Sequence, residues 1–251
     1  SLLRGDELKL LPSCWSSEFV RRSNSADVFI SRELANFYLV DVSDECKDEL
    51  EWLVEGLGGM TELTMVHRVE NQELWLQYRH TRSTILRTRG EYIQPIEVKT
   101  VKEWMRGEYE LVEGANEVLL LHGTAGKAAS LICDQGFESR IGKLDKKYGA
   151  GIYFYDDIKK ADEDCDTDSF GLRHVFLSRV TLGLPYLTSQ HLRNHKKPPT
   201  VQGEVLDSVV ASFEKNNDYV VYNQHQCYPE LLLTYFSGRK YCGFSGKEGQ
   251  E

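Results

Sequence analysis

Two short runs in this sequence carry the side chains best suited to hold and transform a ligand. The first is His122-Gly123-Thr124, directly after the apolar run 118–121. A buried strand would hold the imidazole at its end, and the glycine would let a ligand approach the backbone. Read alone, the tripeptide fits a hydrogen-bonded histidine at a strand edge better than a ligand site. The second run, Tyr148-Gly-Ala-Gly-Ile-Tyr-Phe154, sets two glycines one residue apart ahead of Ile152 and Tyr153. The latter two prefer extended backbone, and the glycines point to a tight approach to something flat or charged. An ordinary turn leading into a core aromatic satisfies the same pattern equally well. The run is not a dinucleotide fingerprint, which needs a preceding strand, a following helix and a third glycine where residue 154 is Phe. No motif joins His122 to a Cys or Ser nucleophile of a hydrolase.

The elements that must position these residues are partly readable. Residues 1–44 have no sustained period and read as an irregular N-terminal extension. Over 43–57, Leu50, Leu53, Val54 and Leu57 recur at helical spacing behind Ser43 or Asp44 as cap, which predicts one helix. Residues 63–69 alternate as a half-buried strand, and 71–78 carry Leu74, Trp75 and Tyr78 at helical spacing. Between 79 and 116 only 101–109 reads as helical. The second half reads as a buried strand at 117–121, a helix near 128–134, a turn-rich 136–151, and strands at 174–182, 218–222 and 230–236. Helices that do not alternate strictly with strands predict an α+β fold rather than a doubly wound sheet.

Composition removes several classes of function. The 39 acidic against 30 basic residues give a net charge of −9, so the surface as a whole repels a phosphate backbone. The six cysteines form no C-x-x-C pair and no metal-ligand spacing with the seven histidines, so no metal is expected. A chain of 251 residues does not need disulfide staples, and no secretory leader precedes Leu10, which predicts reduced thiols in an intracellular protein, nuclear or cytoplasmic. Apolar runs such as 118–121 and 231–233 are far shorter than the ~20 residues that span a bilayer.

Taken in order, the runs form a pattern. Leu119-Leu-Leu-His-Gly-Thr124 is followed by Gly136-Phe137 with Arg140, then by Gly149-Ala-Gly-Ile-Tyr-Phe154. Val175-Phe-Leu-Ser-Arg-Val-Thr-Leu-Gly183, Asp218-Tyr-Val-Val-Tyr222 and, after Gln226, Tyr228-Pro-Glu-Leu-Leu-Leu-Thr-Tyr235 complete it. This resembles the poly(ADP-ribose) polymerase family, with the C-terminal part most similar to the tankyrases; Arg68, Asn71, Leu74 and Trp75 extend the likeness back to Met65. The resemblance implies an ADP-ribosyltransferase fold of two packed, mainly antiparallel sheets with NAD in the cleft between them. His122 would hold the adenine-side ribose, the Gly123 backbone the carboxamide, Tyr153 the nicotinamide ring and Arg140 the pyrophosphate. Thr124, Tyr148, Gly151 and Ala161 would complete the NAD-binding set, with His122, Tyr153 and Asp218 as catalytic residues. The chemistry implied is loss of nicotinamide through an oxocarbenium-like state and transfer of ADP-ribose.

Three departures from the family accompany this likeness. Members usually carry a carboxamide-binding serine and a second ring-stacking tyrosine on the next helix, where this chain has Ala161 and Asp164. Asp218 stands where polymerising members have glutamate, which retracts the carboxylate by one bond, about 1.5 Å. The zinc ligands of the tankyrases are missing. The expectation is therefore a mono-ADP-ribosyltransferase with a protein acceptor, or secondarily a nucleic-acid acceptor; the alternative is a pseudo-enzyme acting as a binding module. The catalytic domain is drawn over 45–240, with a tail at 241–251.

Overall fold

In the computed structural model, residues 11–15, 37–59, 61–138, 145–213 and 216–237 are described. Strand β1 (Tyr38–Asp41) pairs antiparallel with β2 (Glu62–Glu70), so residues 38–41 belong to the sheet and not to an irregular extension. Two short helices, α1 (Ser43–Leu50) and α2 (Trp52–Glu55), replace the single helix expected over 43–57. The turn between them tightens through a Val54 N–H to Glu51 carbonyl bond, yet Leu50, Leu53, Val54 and Leu57 are all buried as their spacing required. The start of α1 is fixed by Asp41, whose carboxylate accepts from the Ser43 N–H (3.0 Å) and hydroxyl (2.6 Å), rather than by Ser43 or Asp44.

Helix α3 (Gln72–Arg89) is capped by the Asn71 side chain, which accepts from the Leu74 N–H at 3.1 Å. The same side chain donates to the carbonyls of Cys133 and Asp134, tying α3 to a later helix. Helix α4 (Glu103–Glu108) lies inside the helical stretch read at 101–109. Next come β3 (Glu117–Thr124), α5 (Gly126–Gln135), β4 (Ile152–Tyr155), α6 (Ile158–Glu163) and β5 (Leu172–Thr181). The chain continues through β6 (Pro185–Thr188), the hairpin β7 (Thr200–Val201) and β8 (Glu204–Val205), β9 (Ser208–Phe213), β10 (Asn216–Val221) and β11 (Cys227–Phe236).

Nine strands run in the order β1-β2-β11-β5-β3-β4-β10-β9-β6, antiparallel except for β6 with β9; the hairpin forms a separate two-stranded sheet. A single registered pair, Leu121 with Tyr155, joins β3 to β4. The large sheet is thus two halves meeting along a seam, the form taken here by the expected pair of sheets. The fold is α+β.

Both faces of the sheet are covered, which explains why 118–121 is unbroken in apolar residues. Leu119 and Leu121 pack with Leu53, Val54, Leu177 and Ala161 on one face, and Val118 and Leu120 with Ile132, Phe137 and Phe176 on the other. Because strand side chains alternate, this parity decides where His122, Gly123 and Thr124 point. Behind the centre of the sheet, Glu117 accepts from Tyr78, Arg82 and Arg179, and Arg179 also binds Glu230 at 2.5 Å. This buried network anchors α3 to β3, β5 and β11.

Candidate functional site

The seam between β3 and β4 opens into a cavity of about 440 Å³, whose lining includes His122, Thr124, Ile132, Gly151, Tyr153 and Asp164. Parity accounts for the first two. His122 and Thr124 follow Leu120 onto the face covered by α5, while Gly123 turns to the opposite face. His122 lies within strand β3, paired opposite Phe176, rather than at the strand's end, because β3 runs on to Thr124.

The imidazole is held on several sides. Its Nδ1 lies 2.8 Å from the Tyr153 carbonyl oxygen, and Phe137 meets the ring edge-on at 4.9 Å between centroids. A carbonyl only accepts, so Nδ1 carries the proton and Nε2 of the neutral ring is left as an acceptor. Burial holds the His122 pKa below the ordinary imidazole value, against smaller opposing effects of the Tyr153 carbonyl and Asp164. The unfolded chain therefore takes up a proton first, near pH ~6.5, and stability falls as the pH drops from there through the lower folded value. His122→Gln should flatten that limb of a melting-temperature curve recorded between pH 7 and 5. A limb of unchanged slope would mean that the imidazole titrates as in solution.

Tyr153 is fixed at its far end. Its hydroxyl accepts from the Tyr148 N–H at 2.9 Å and donates to the Gly149 carbonyl at 3.0 Å, while burial and the charge of Asp218 push its pKa up to about 12. The Lys146 ammonium stands 4.7 Å from the centre of the Tyr153 ring, and Lys146 also lines the cavity. The two glycines of this run approach the protein itself. Gly149, at φ +79°, packs against the His195 backbone, and a Cβ on Gly151 would overlap Val220 and lie 3.0 Å from the Val221 carbonyl oxygen. Both glycines let β4 and its entry turn seat on β10 and the 191–195 loop, and Gly151 also borders the cavity.

Gly123 has the same character. A Cβ there would overlap the Ala161 carbonyl oxygen and stand 2.8 Å from its carbon and 3.1 Å from the Asp164 Cβ. Helix α6 thus lies directly on the backbone of β3. Ala161 is fully buried in the core, and Tyr148 is almost so, which puts both behind the cavity wall. Asp164 closes α6, with Oδ2 accepting from the Tyr155 hydroxyl at 3.0 Å.

Asp218 sits on β10 opposite Tyr155, buried to 6% exposure, and its carboxylate meets the Lys160 ammonium at 2.5 Å. It does not line the cavity, though its charge acts on Tyr148, Tyr153 and Tyr155. Of the residues singled out from sequence, His122, Thr124, Gly151 and Tyr153 meet in one space; Gly123, Tyr148 and Ala161 support its wall; Asp218 stands one strand away. Arg140 lies outside the described residues. Sequence reasoning missed Lys146, Lys160 and Tyr155, since lysines beside a turn or on a short helix carry no spacing signal.

Among the described residues, no group of three or more His, Cys, Asp or Glu could hold a metal ion, and no helix is long and apolar enough to cross a membrane. The Poly(ADP-ribose) polymerase catalytic domain family matches residues 58–236. The chain is 29% identical over 178 residues to protein mono-ADP-ribosyltransferase PARP12 of Mus musculus, covering 68% of this chain and 24% of that protein. It is 27% identical over 181 residues to PARP12 of Homo sapiens (68% of this chain, 25% of the relative). With protein mono-ADP-ribosyltransferase PARP11 of Mus musculus the identity is 25% over 193 residues (68% and 51%). The chain thus spans about a quarter of the length of the first two relatives.

Proposed function

The chain belongs to the poly(ADP-ribose) polymerase catalytic domain family, and on that premise we propose that it takes NAD as substrate and transfers one ADP-ribose unit to a protein side chain. The observation that carries the reading is the convergence of a neutral His122, with Nε2 as acceptor, and the fixed ring of Tyr153 on one cavity of about 440 Å³. That volume is in the range of small-molecule sites. In this reading His122 accepts from a hydroxyl of the adenine-side ribose and Tyr153 offers its face to the nicotinamide. The Gly123 backbone holds the carboxamide, while Thr124 and Gly151 shape the wall. Tyr148 and Ala161 keep Tyr153 and Gly123 in place, and Arg140 serves the pyrophosphate. Asp218, held by Lys160, supports the positive charge that develops on the ribose.

The acceptor is taken to be protein because the relatives carry that word in their names; a nucleic-acid acceptor has no comparable support. The likeness to tankyrases rests on the C-terminal part of the chain, whereas the relatives named above are mono-ADP-ribosyltransferases, which favours mono-transfer. We draw the catalytic unit over 45–240, extended back to Tyr38 because β1 completes its sheet. An intracellular location is supported by five free cysteines among the described residues. One observation favours the alternative of a weakly binding pseudo-enzyme: the Lys146 ammonium occupies a face of Tyr153.

A thermal-shift titration separates the two. NAD at a hundred times its Kd stabilises the folded state by about 2.7 kcal/mol, a rise of several degrees for a chain of this size. His122→Ala should remove most of that rise. Equal rises in both proteins, or none in the unmodified one, would exclude the proposed site.

A further inference from the structure

Asp164 is a carboxylate in the wall of a cavity that also presents the Tyr153 ring, the neutral His122 imidazole and the charged side chains Lys146 and Glu138. Oδ2 is engaged by the Tyr155 hydroxyl, and the residue is exposed to the cavity on α6's last turn. The charges of Asp164 and Lys146 both act on His122, so they share one small space. A cation already stands on the Tyr153 ring, in the form of the Lys146 ammonium. An aromatic face and a carboxylate bordering one space make a seat for a planar cation.

This inference rests on the NAD reading given above. The nicotinamide of NAD is a pyridinium and carries a positive charge, whereas free nicotinamide is neutral. We propose that Asp164 makes the site select the cationic pyridinium ring of NAD over neutral nicotinamide and neutral ring analogues. In the transfer, the bond between ribose C1′ and the ring nitrogen breaks and its electron pair stays on the ring. The ring becomes neutral, and the positive charge passes to the ribose. The acceptor's lone pair then bonds to C1′, and the acceptor gives up a proton to solvent. At bond cleavage the attraction between Asp164 and the ring disappears. The carboxylate that helps to admit the substrate does not hold the product, so the enzyme is weakly inhibited by the nicotinamide it releases.

The test is calorimetric binding of NAD, of benzamide adenine dinucleotide, a neutral-ring isostere, and of nicotinamide. Each is titrated into the unmodified protein, Asp164→Asn and His122→Ala. Asparagine keeps the shape of Asp164 and its acceptor for Tyr155 while removing the charge. Asp164→Asn is expected to weaken NAD on the order of tenfold and to leave the neutral dinucleotide and nicotinamide within about twofold. Equal weakening of NAD and its neutral isostere, or no weakening of either, overturns the proposal. If the unmodified protein binds no NAD, or His122→Ala binds it equally well, the NAD reading falls and this inference with it. If NAD binding depends on His122 and the preference for the cation does not depend on Asp164, only the role of Asp164 is refuted.

Discussion

Gly123→Ala is expected to lower the melting temperature by roughly 6–12 °C and to abolish the NAD-dependent rise, although it adds one methyl group. The new Cβ would overlap the Ala161 carbonyl, and neither side can yield cheaply. Strand β3 is locked in register, with His122, Gly123 and Thr124 opposite Phe176, Val175 and His174 of β5. Helix α6 is pinned from behind, since buried Asp162 binds Arg173 and the Tyr235 hydroxyl at 2.6 Å each. Overpacking of this kind costs about 1–3 kcal/mol where a side chain can adjust, and here backbone meets backbone, which puts the cost at about 3 kcal/mol or more. For a domain of this size each kcal/mol is worth about 2–4 °C. Relief must come from an outward shift of α6, which carries Asp164 away from Tyr153. Gly107→Ala is the control. A Cβ there meets nothing within 4 Å on the surface of α4, and the change should be neutral or stabilising by up to about 1 kcal/mol. A Gly123→Ala protein with unchanged melting temperature and unchanged response to NAD would show that α6 does not bear on β3 as described.

This case also marks what the sequence could and could not reveal. His122, Thr124 and Tyr153 were legible because the runs that carry them, 119–124 and 149–154, occur in the order of the family's pattern; that His122 and Thr124 share the parity of Leu120 follows only from a strand β3 that extends to Thr124. The meaning of the glycines was not legible. A glycine announces that something comes close; whether that is a ligand or another piece of chain depends on residues such as Ala161, His195 and Val220, which only the tertiary fold delivers. The same holds for Lys160. On α6 it reads as one of two adjacent solvated lysines, and it acquires its role because β10 places Asp218, 58 residues later, within 2.5 Å. Strand β1 escaped notice because a four-residue edge strand carries too short a pattern to show a period, and its pairing is set by β2. Residues 79–89 were unreadable for the opposite reason. That stretch of α3 is exposed or half-buried apart from Ile85, so it shows little apolar stripe.

The unmodified protein, incubated with NAD and an acceptor protein, is expected to attach single ADP-ribose units and to build no chains. Chain growth needs a carboxylate that holds one ribose and activates a hydroxyl of the unit before it, a placement that must be right to a fraction of an ångström. Asp218 is shorter than glutamate by about 1.5 Å, and the backbone does not make up the difference. Strand β10 runs in unbroken register, with Asp218 opposite both Tyr155 of β4 and Ala211 of β9, so its Cα is held from two sides. Its carboxylate is drawn to Lys160, which fixes the charge without extending its reach. Asp218→Glu restores the length and should yield short chains or a higher turnover. Asp218→Ala should slow transfer by about 100-fold while NAD still raises the melting temperature, because it removes support of the developing charge and leaves the cavity lining intact. His122→Ala should lose more, since binding goes with it. Lys160→Met should lower transfer as well as stability, because a buried carboxylate is left without its cation. Intact mass of the modified acceptor and its ladder on a gel read the outcome directly: a series of products longer than one unit from the unmodified protein would show that Asp218 reaches what its length and register deny it.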